Sequence, residues 1–428
     1  MNMEEMKLPE GENRAGVITA PKFTAKPLEI IAACLSYVLA YIWIEFAFGC
    51  NLFEKIAFPL GFLVCVEIAN WGKKRKWEDY IWLACFLMLW AGSVFHRHNA
   101  FEDEFLPLFI FHGEAIWYAL SRSEALFEGK TGRLLPADAL FGAVVYPFKH
   151  YFLRIRTIWY GLSKIGKEKK DWEKLLWVLA AVAFGGVLFV GAVNMLSLAD
   201  DEFGNIVESV TQWFSFDVDE LTVYRIFFSI PCGAYLFGVM CGMAREKRDE
   251  IDRKRSALDG FLARLGKVPA AAWLSITLAF CAVYAFFFAL QSKYLFGAFT
   301  RTLPEGFIVS EYARQGFFEL CKVMAINFTL LWLVLRTSAG NARKNLSLRI
   351  ASILLIAESM VFAIIAASKL WLYIDCFGFT PLRLQSAWLV SVLFAGCIAA
   401  FVSVIADKRT TRWWAIYSAV SLCALTLI

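Results

Sequence analysis

From about residue 28 to the end of the chain, long apolar runs alternate with short polar connectors. A helix needs roughly 20 apolar residues to cross a bilayer core of about 30 Å. By that measure the pattern predicts eleven spans, near 28–49, 53–71, 80–97, 105–121, 175–198, 221–244, 271–296, 317–338, 350–375, 384–406 and 413–428. The second, third and fourth are the weakest by length. The expected fold is all-α, a polytopic bundle of transmembrane helices. Four regions follow: a polar tail over 1–27, a four-span region over 28–121, a basic segment over 122–174 and a seven-span region over 175–428.

The connectors orient this pattern, because Lys and Arg concentrate on the cytoplasmic side. With the N-terminus cytoplasmic, the inner connectors hold Lys73 to Lys76, the basic segment 122–174, the cluster from Arg245 to Arg255, Arg343 with Lys344, and Lys408 with Arg409. The outer connectors hold Glu102, Asp103, Glu104 and the stretch 200–220, which has seven acids and no Lys or Arg. One consistent alternation places the C-terminus outside the cytoplasm; the expected location is a bacterial inner membrane, crossed many times. The N-terminal tail is too polar for a cleavable signal peptide, whose apolar core is short and followed by small residues.

Three connector segments have amphipathic helical spacing. In 146–163, Phe148, Phe152, Ile155 and Trp159 share one face, with Lys149, Arg154 and Arg156 around the rest. That pattern suits a helix lying in the inner interface against anionic lipid headgroups. In 245–267, Asp249/Arg253 and Glu250/Lys254 are spaced for i,i+4 pairing, and Leu258, Phe261, Leu262 and Leu265 can dock on the bundle. Ile206, Val210, Trp213 and Phe214 give an outer segment a similar face. Surface packing explains all three better than a partner site does.

Composition agrees with a lipid-facing exterior: 59% of the 428 residues are hydrophobic, 16% aromatic and only 19% charged. Soluble domains carry about 25% charged residues. The net charge of +5 is small, so its distribution matters more than its sum. Eleven cysteines include no C-x-x-C pair, and eight lie within apolar runs as small buried hydrophobes. Cys50, Cys232 and Cys376 fall nearer the membrane faces.

Chemistry is sparse. Phosphate-binding loops, dinucleotide glycine patterns, nucleophile elbows and zinc-protease motifs do not occur, and no catalytic residue, cofactor or metal is expected. His96, His98 and His112 with Glu102, Asp103 and Glu114 can be drawn as an outward metal site. His-x-His at a helix end is better read as a hydrated membrane boundary. Nucleic-acid binding has no support, since topology accounts for the basic connectors. More informative are ionisable residues inside spans, which usually face a protein interior or a cavity. Glu114 and Glu358 lie near mid-span. Glu358 and Lys369 are eleven residues apart, three helical turns, with Tyr373 continuing the stripe outward. Glu319 and Lys322 can pair locally at i,i+3. Interhelical locking and a polar path opening outward both fit this set.

Two segments carry a family resemblance. Leu303 to Phe307 (LPEGF) with Glu311 to Leu320 (EYARQGFFEL), and Leu370 to Leu384 (LWLYIDCFGFTPLRL), closely resemble signatures of bacterial membrane proteins in the domain of unknown function 4153 and 4173 group. Leu198 to Phe203 (LADDEF) is a weaker match, and the resemblance covers roughly 140–425. Pro381 departs from the pattern, where a basic or small residue is expected. The family implies no activity. It directs attention to Glu311, Arg314, Glu319, Asp375 and Arg383, three acids and two arginines at the predicted outer face. Ser310 is a candidate N-cap, and Gly378 can end the ninth span in a left-handed conformation. The expectation is that the two motifs meet as a charged cluster at the outer mouth.

These features suit a permease-like or ligand-binding membrane protein acting on a small solute. A structural, sensory or scaffolding protein with a protein partner is the alternative. A membrane-embedded enzyme on a lipid substrate, lacking a nucleophile–base pair or metal motif, is the least supported, and the chain is not expected to be an enzyme.

Overall fold

The computed structural model describes residues 23–48, 52–95, 105–165, 185, 195, 220–300 and 317–427. Their regular structure is helical, with no strand among them beyond a single bridge between Val268 and Ser338. The longer helices are α1 (Pro27–Phe48), α2 (Leu52–Ala69), α3 (Trp77–Phe95), α4 (Phe105–Arg122), α5 (Leu135–Leu140), α6 (Tyr146–Lys149), α7 (Leu153–Ile165), α8 (Glu220–Phe237), α9 (Arg248–Leu265), α10 (Ala270–Thr300), α11 (Phe317–Thr337), α12 (Leu346–Phe377), α13 (Pro381–Ala406) and α14 (Thr411–Leu425). A π-helical turn, Phe141–Val145, joins α5 to α6, and a second, Gly238–Gly242, continues α8.

Among the described residues, six segments are long and apolar enough to cross a membrane: Pro27–Glu45, Thr222–Arg245, Ala270–Gln291, Phe317–Thr337, Leu346–Phe377 and Pro381–Ala406. Each coincides with an expected span. Four more expected spans form the helices α2, α3, α4 and α14, of 18, 19, 18 and 15 residues. The segment 175–198 lies outside the described residues. Exposed Trp71 and Trp77 flank the basic stretch Lys73 to Lys76, where amphipathic rings sit at a headgroup boundary.

The chain divides into two compact units, 1–31 with 155–213, and 32–154 with 214–428. In the first, the Phe23 and Tyr160 rings meet edge-on at 6.0 Å. Gly161 lets Ile30 approach so closely that a Cβ there would lie 2.8 Å from its Cγ2.

The second unit contains the long bundle. α12 is the axis, packing against α10, α11 and α13, while α14 joins α13 to α3. Its 32 residues extend about 48 Å, more than a bilayer core. Asn345 caps its start, its Oδ1 accepting the Leu348 N–H at 3.1 Å. Gly378 ends it where the sequence predicts and donates its N–H to Ile374 at 2.8 Å, but with φ of +78° and ψ of −176° it is not in the expected left-handed helical conformation. Buried positions recur along α12 with helical period, from Leu348 through Leu355 and Phe362 to Leu370. Large apolar residues such as Phe286, Trp332, Ile364, Trp371 and Ile398 remain exposed on the flanks, as a lipid-facing surface requires.

The amphipathic segments differ in detail from expectation. The stretch 146–163 is not one helix but α6 and α7 separated by a turn. His150 leaves helical geometry at φ −101° and ψ 14° because its ring is held by Glu246 across the bundle. Phe148, Phe152, Ile155 and Trp159 are each exposed. In α9 the expected Glu250–Lys254 pair forms at 3.5 Å, and Leu258 and Leu262 are half-buried, whereas Phe261 and Leu265 stay exposed. The outer segment with Ile206 and Trp213 lies outside the described residues.

Candidate functional site

The buried stripe of α12 is apolar except at Ser352, Glu358, Ser359 and Lys369. Both serines return their hydroxyls to the carbonyl four residues back, at 2.8 Å each, which satisfies them within the helix. Ser359 also accepts from Asn327 Nδ2 of α11 at 2.9 Å, and Asn327 Oδ1 accepts from the Tyr284 hydroxyl of α10 at 2.7 Å. A hydrogen-bonded chain therefore crosses three helices at one level of the bundle.

Glu358 stands beside this chain, with the Cys281 thiol within hydrogen-bonding reach. Its Oε2 is buried and meets no protein donor. Lys369 is fully buried. Three turns of α12 put it about 16 Å from Glu358, and the carboxylate acting on it is Glu319 of α11. The shared face of Glu358 and Lys369 is as expected, but the two have different neighbours. Glu319 of α11 acts electrostatically on Lys369 of α12, while Glu358 keeps an oxygen that meets no protein donor, as other buried carboxyls of the protein also do.

At the end of α12, Arg383 lies over the Tyr373 ring at 4.2 Å from its centroid. It donates to the carbonyls of Phe377, at 2.7 Å, and Gly378. A cation on the last carbonyls of a helix offsets both unsatisfied acceptors and the helix dipole. Asp375 occupies the same last turn. Of the expected outer cluster, Glu319, Asp375 and Arg383 are placed in this way, while Glu311, Arg314 and Ser310 lie outside the described residues. Replacing Arg383 by Gln should cost about 1–2 kcal/mol, read as a lower thermal midpoint of the detergent-solubilised protein. Arg383→Lys should recover only part of it, because a single ammonium cannot both stack and bridge two carbonyls. An unchanged midpoint for Arg383→Gln would remove the capping role.

Glu114 is buried elsewhere, on α4, with Cys85 of α3 and Cys423 of α14 beside it. One of its oxygens also meets no donor. His112, two residues earlier, faces away: its Nε2 is 3.3 Å from the Tyr235 hydroxyl, in a cavity of about 230 Å³ that Trp43, Phe148 and Tyr151 also line. His96, His98, Glu102 and Asp103 lie outside the described residues. All cysteines among the described residues are free, and Cys34, expected to be buried, is exposed.

What sequence reasoning missed lies among the connectors, whose charges it assigned to topology alone. Residues 122–134 are folded, with Arg122, Phe127, Thr131 and Leu134 buried. Arg122 bonds Glu67 at 3.1 Å and the carbonyls of Asn70 and Lys73. Arg248 donates to the carbonyls of Leu126 and Phe127 at 2.9 and 2.8 Å. Glu78 accepts from the Thr131 N–H, and Asp138 from the Phe127 N–H, both at 2.8 Å. Burial pushes the Asp138 carboxyl up to about 7 against the pull of that N–H. Nearby, the fully buried carboxylate of Glu246 receives Lys149 and His150 at 2.7 Å each and Lys254 at 3.2 Å. The available signal was the acids themselves: Glu78, Glu128 and Glu246 stand among basic residues where topology asks for none.

Long apolar helices, basic connectors and ionisable groups buried between helices define a multi-pass helical membrane protein. The chain belongs to the family described as Domain of unknown function (DUF4153), which it matches over residues 83–428. The match starts within α3, well before the motif resemblance near residue 140, and so takes in α4 with Glu114. No curated protein and no solved structure matches the chain.

Proposed function

We propose that this is a permease-like protein of a bacterial inner membrane, with eleven spans, a cytoplasmic N-terminus and an outward C-terminus, whose polar column in α10 to α12 binds or passes a small solute. The observation that carries the reading is Glu358. A carboxyl group between helices is costly, and one that merely locked helices together would have both oxygens matched, as buried polar groups generally do. Glu358 keeps an oxygen without a protein partner, as Glu114 and Asp138 do elsewhere, and it is the combination with the neighbouring Tyr284–Asn327–Ser359 chain that carries the reading. That oxygen is where a solute cation or donor, or a transferred proton, would bind. Lys369 with Glu319 and Arg383 on its helix end favour the scaffolding alternative, since both act as locks. The column is therefore read as one functional carboxyl held by structural pairs.

The test uses the full chain in proteoliposomes loaded with a pH-sensitive dye, under an imposed potential. Amino acids, organic acids, sugars and metal cations are added outside in turn. A solute-dependent proton or charge movement is expected in the wild type and should be abolished by Glu358→Gln, which leaves the shape intact. Equal signals from the two proteins, or none with any solute class, would remove the permease reading.

A further inference from the structure

We infer that a phosphate-binding site lies where α9, α11 and the α13–α14 connector meet the segment 128–133, and that an anionic phospholipid headgroup fills it. Four guanidinium groups from these four elements gather around two carboxylates. Arg133 pairs with Glu128 and with both oxygens of Asp259, at 2.8 Å throughout. Arg255 lies 4.0 Å from Glu128 and 3.9 Å from Asp259, Arg336 is 3.8 Å from Asp259, and Arg409 is 3.9 Å from Glu128. Only Arg133 is within hydrogen-bonding distance of the two acids. The other three are held by charge, and their donor forks are not used by these carboxylates.

The cluster carries two positive charges more than its carboxylates offset, and Arg336 is acted on repulsively by Arg133 and Arg409. Guanidinium forks match phosphate oxygens in pairs, more closely than any point cation can. The position fits a lipid source. Arg336 is in the last turn of α11 and Arg409 just precedes α14, so the site lies at helix ends, at headgroup level. Arg255, Arg336 and Arg409 all retain solvent access. On α9, the exposed Phe261 and Leu265 offer apolar surface close to the cluster, of the kind an acyl chain covers. Basic pockets between spanning helices are the general form of headgroup recognition. The site is independent of the Glu358 column and of its proposed role.

Purified full-length protein in a neutral detergent is titrated with dioctanoyl-phosphatidylglycerol, dioctanoyl-phosphatidylcholine and inorganic phosphate, following tryptophan fluorescence. Phosphatidylglycerol should bind on the order of tenfold more tightly than phosphatidylcholine and weaken with added salt. Arg409→Gln, at an exposed position, and the double variant Arg336→Gln/Arg409→Gln should lose that preference in steps, while Lys344→Gln, outside the cluster, should keep it. Saturable binding of inorganic phosphate that competes with the lipid and is lost in the same variants supports the site with a free phosphate as its source. Equal affinity for the two lipids without phosphate binding, or wild-type affinity in the Arg409→Gln protein, overturns the inference.

Discussion

Glu246→Gln should destabilise the protein by about 3 kcal/mol, because it leaves Lys149, His150 and Lys254 gathered around a group that no longer carries charge. Breaking a buried ion pair from one side costs on the order of 3–5 kcal/mol, and the partial exposure of the two lysines places this case at the low end. Burial alone would raise the Glu246 carboxyl. Hydrogen bonds from His150 and Lys149, with the charges of Lys149 and Lys254, outweigh it and hold the group at about 2. The ordinary value is 4.5, so the folded-state value is depressed. A depressed carboxyl contributes its stability above the unfolded value and loses it as pH falls through the folded one. Wild-type thermal stability should therefore fall between about pH 4.5 and pH 2 more steeply than that of Glu246→Gln. Parallel acid profiles for the two proteins would show that the carboxylate contributes nothing.

Gly238→Ala should be comparably damaging for a steric reason. Gly238 opens the second π-helical turn, and all five residues of that turn are buried. A Cβ at 238 would stand 2.6 Å from the Pro147 carbonyl oxygen and 2.9 Å from its Cα. Both are backbone atoms, which cannot swing aside as a long side chain can. Forcing extra volume into a packed contact costs typically 1–3 kcal/mol and sometimes more, so a loss of about 3 kcal/mol or failure to accumulate in the membrane is expected. Gly260→Ala is the control, because a Cβ there meets nothing within 4 Å and Ala favours a helix. If Gly238→Ala is as stable as Gly260→Ala, the close approach of the two turns is not required.

These two positions mark the limit of what the chain discloses by itself. Gly238 and Gly242 sit four apart in an apolar run, and Glu246 follows in a basic one. Nothing local says that the glycines face Pro147 and His150, or that the acid faces Lys149, nearly a hundred residues earlier. π-Helical turns have no periodic signature either. They are a local one-residue departure, set here by what the helix packs against. The break at His150 has the same origin, since the spacing over 146–163 reads as one uninterrupted amphipathic helix.

The ionisable residues inside spans were legible in part. Glu358, Lys369 and Glu114 stand out because charge in an apolar run is rare and costly, and all three prove buried. Their partners were not legible. A shared helical face suggested that Glu358 and Lys369 belong together, whereas three turns of helix hold them apart and Glu319 acts on the lysine.

Sequence alone determined the helical class, the family, the end of α12 at Gly378, and, of its eleven expected spans, the six that are long apolar helices among the described residues. Each depends on composition or spacing within a single segment, where hydrophobicity and backbone preference act locally. Only the tertiary structure decided which acids meet which cations, that residues 122–134 are folded around buried arginines, and that Glu358 keeps an unmatched oxygen. Those outcomes depend on distances between segments far apart in the chain, and charge pairing is governed by separation and burial, neither of which is written along one strand of sequence.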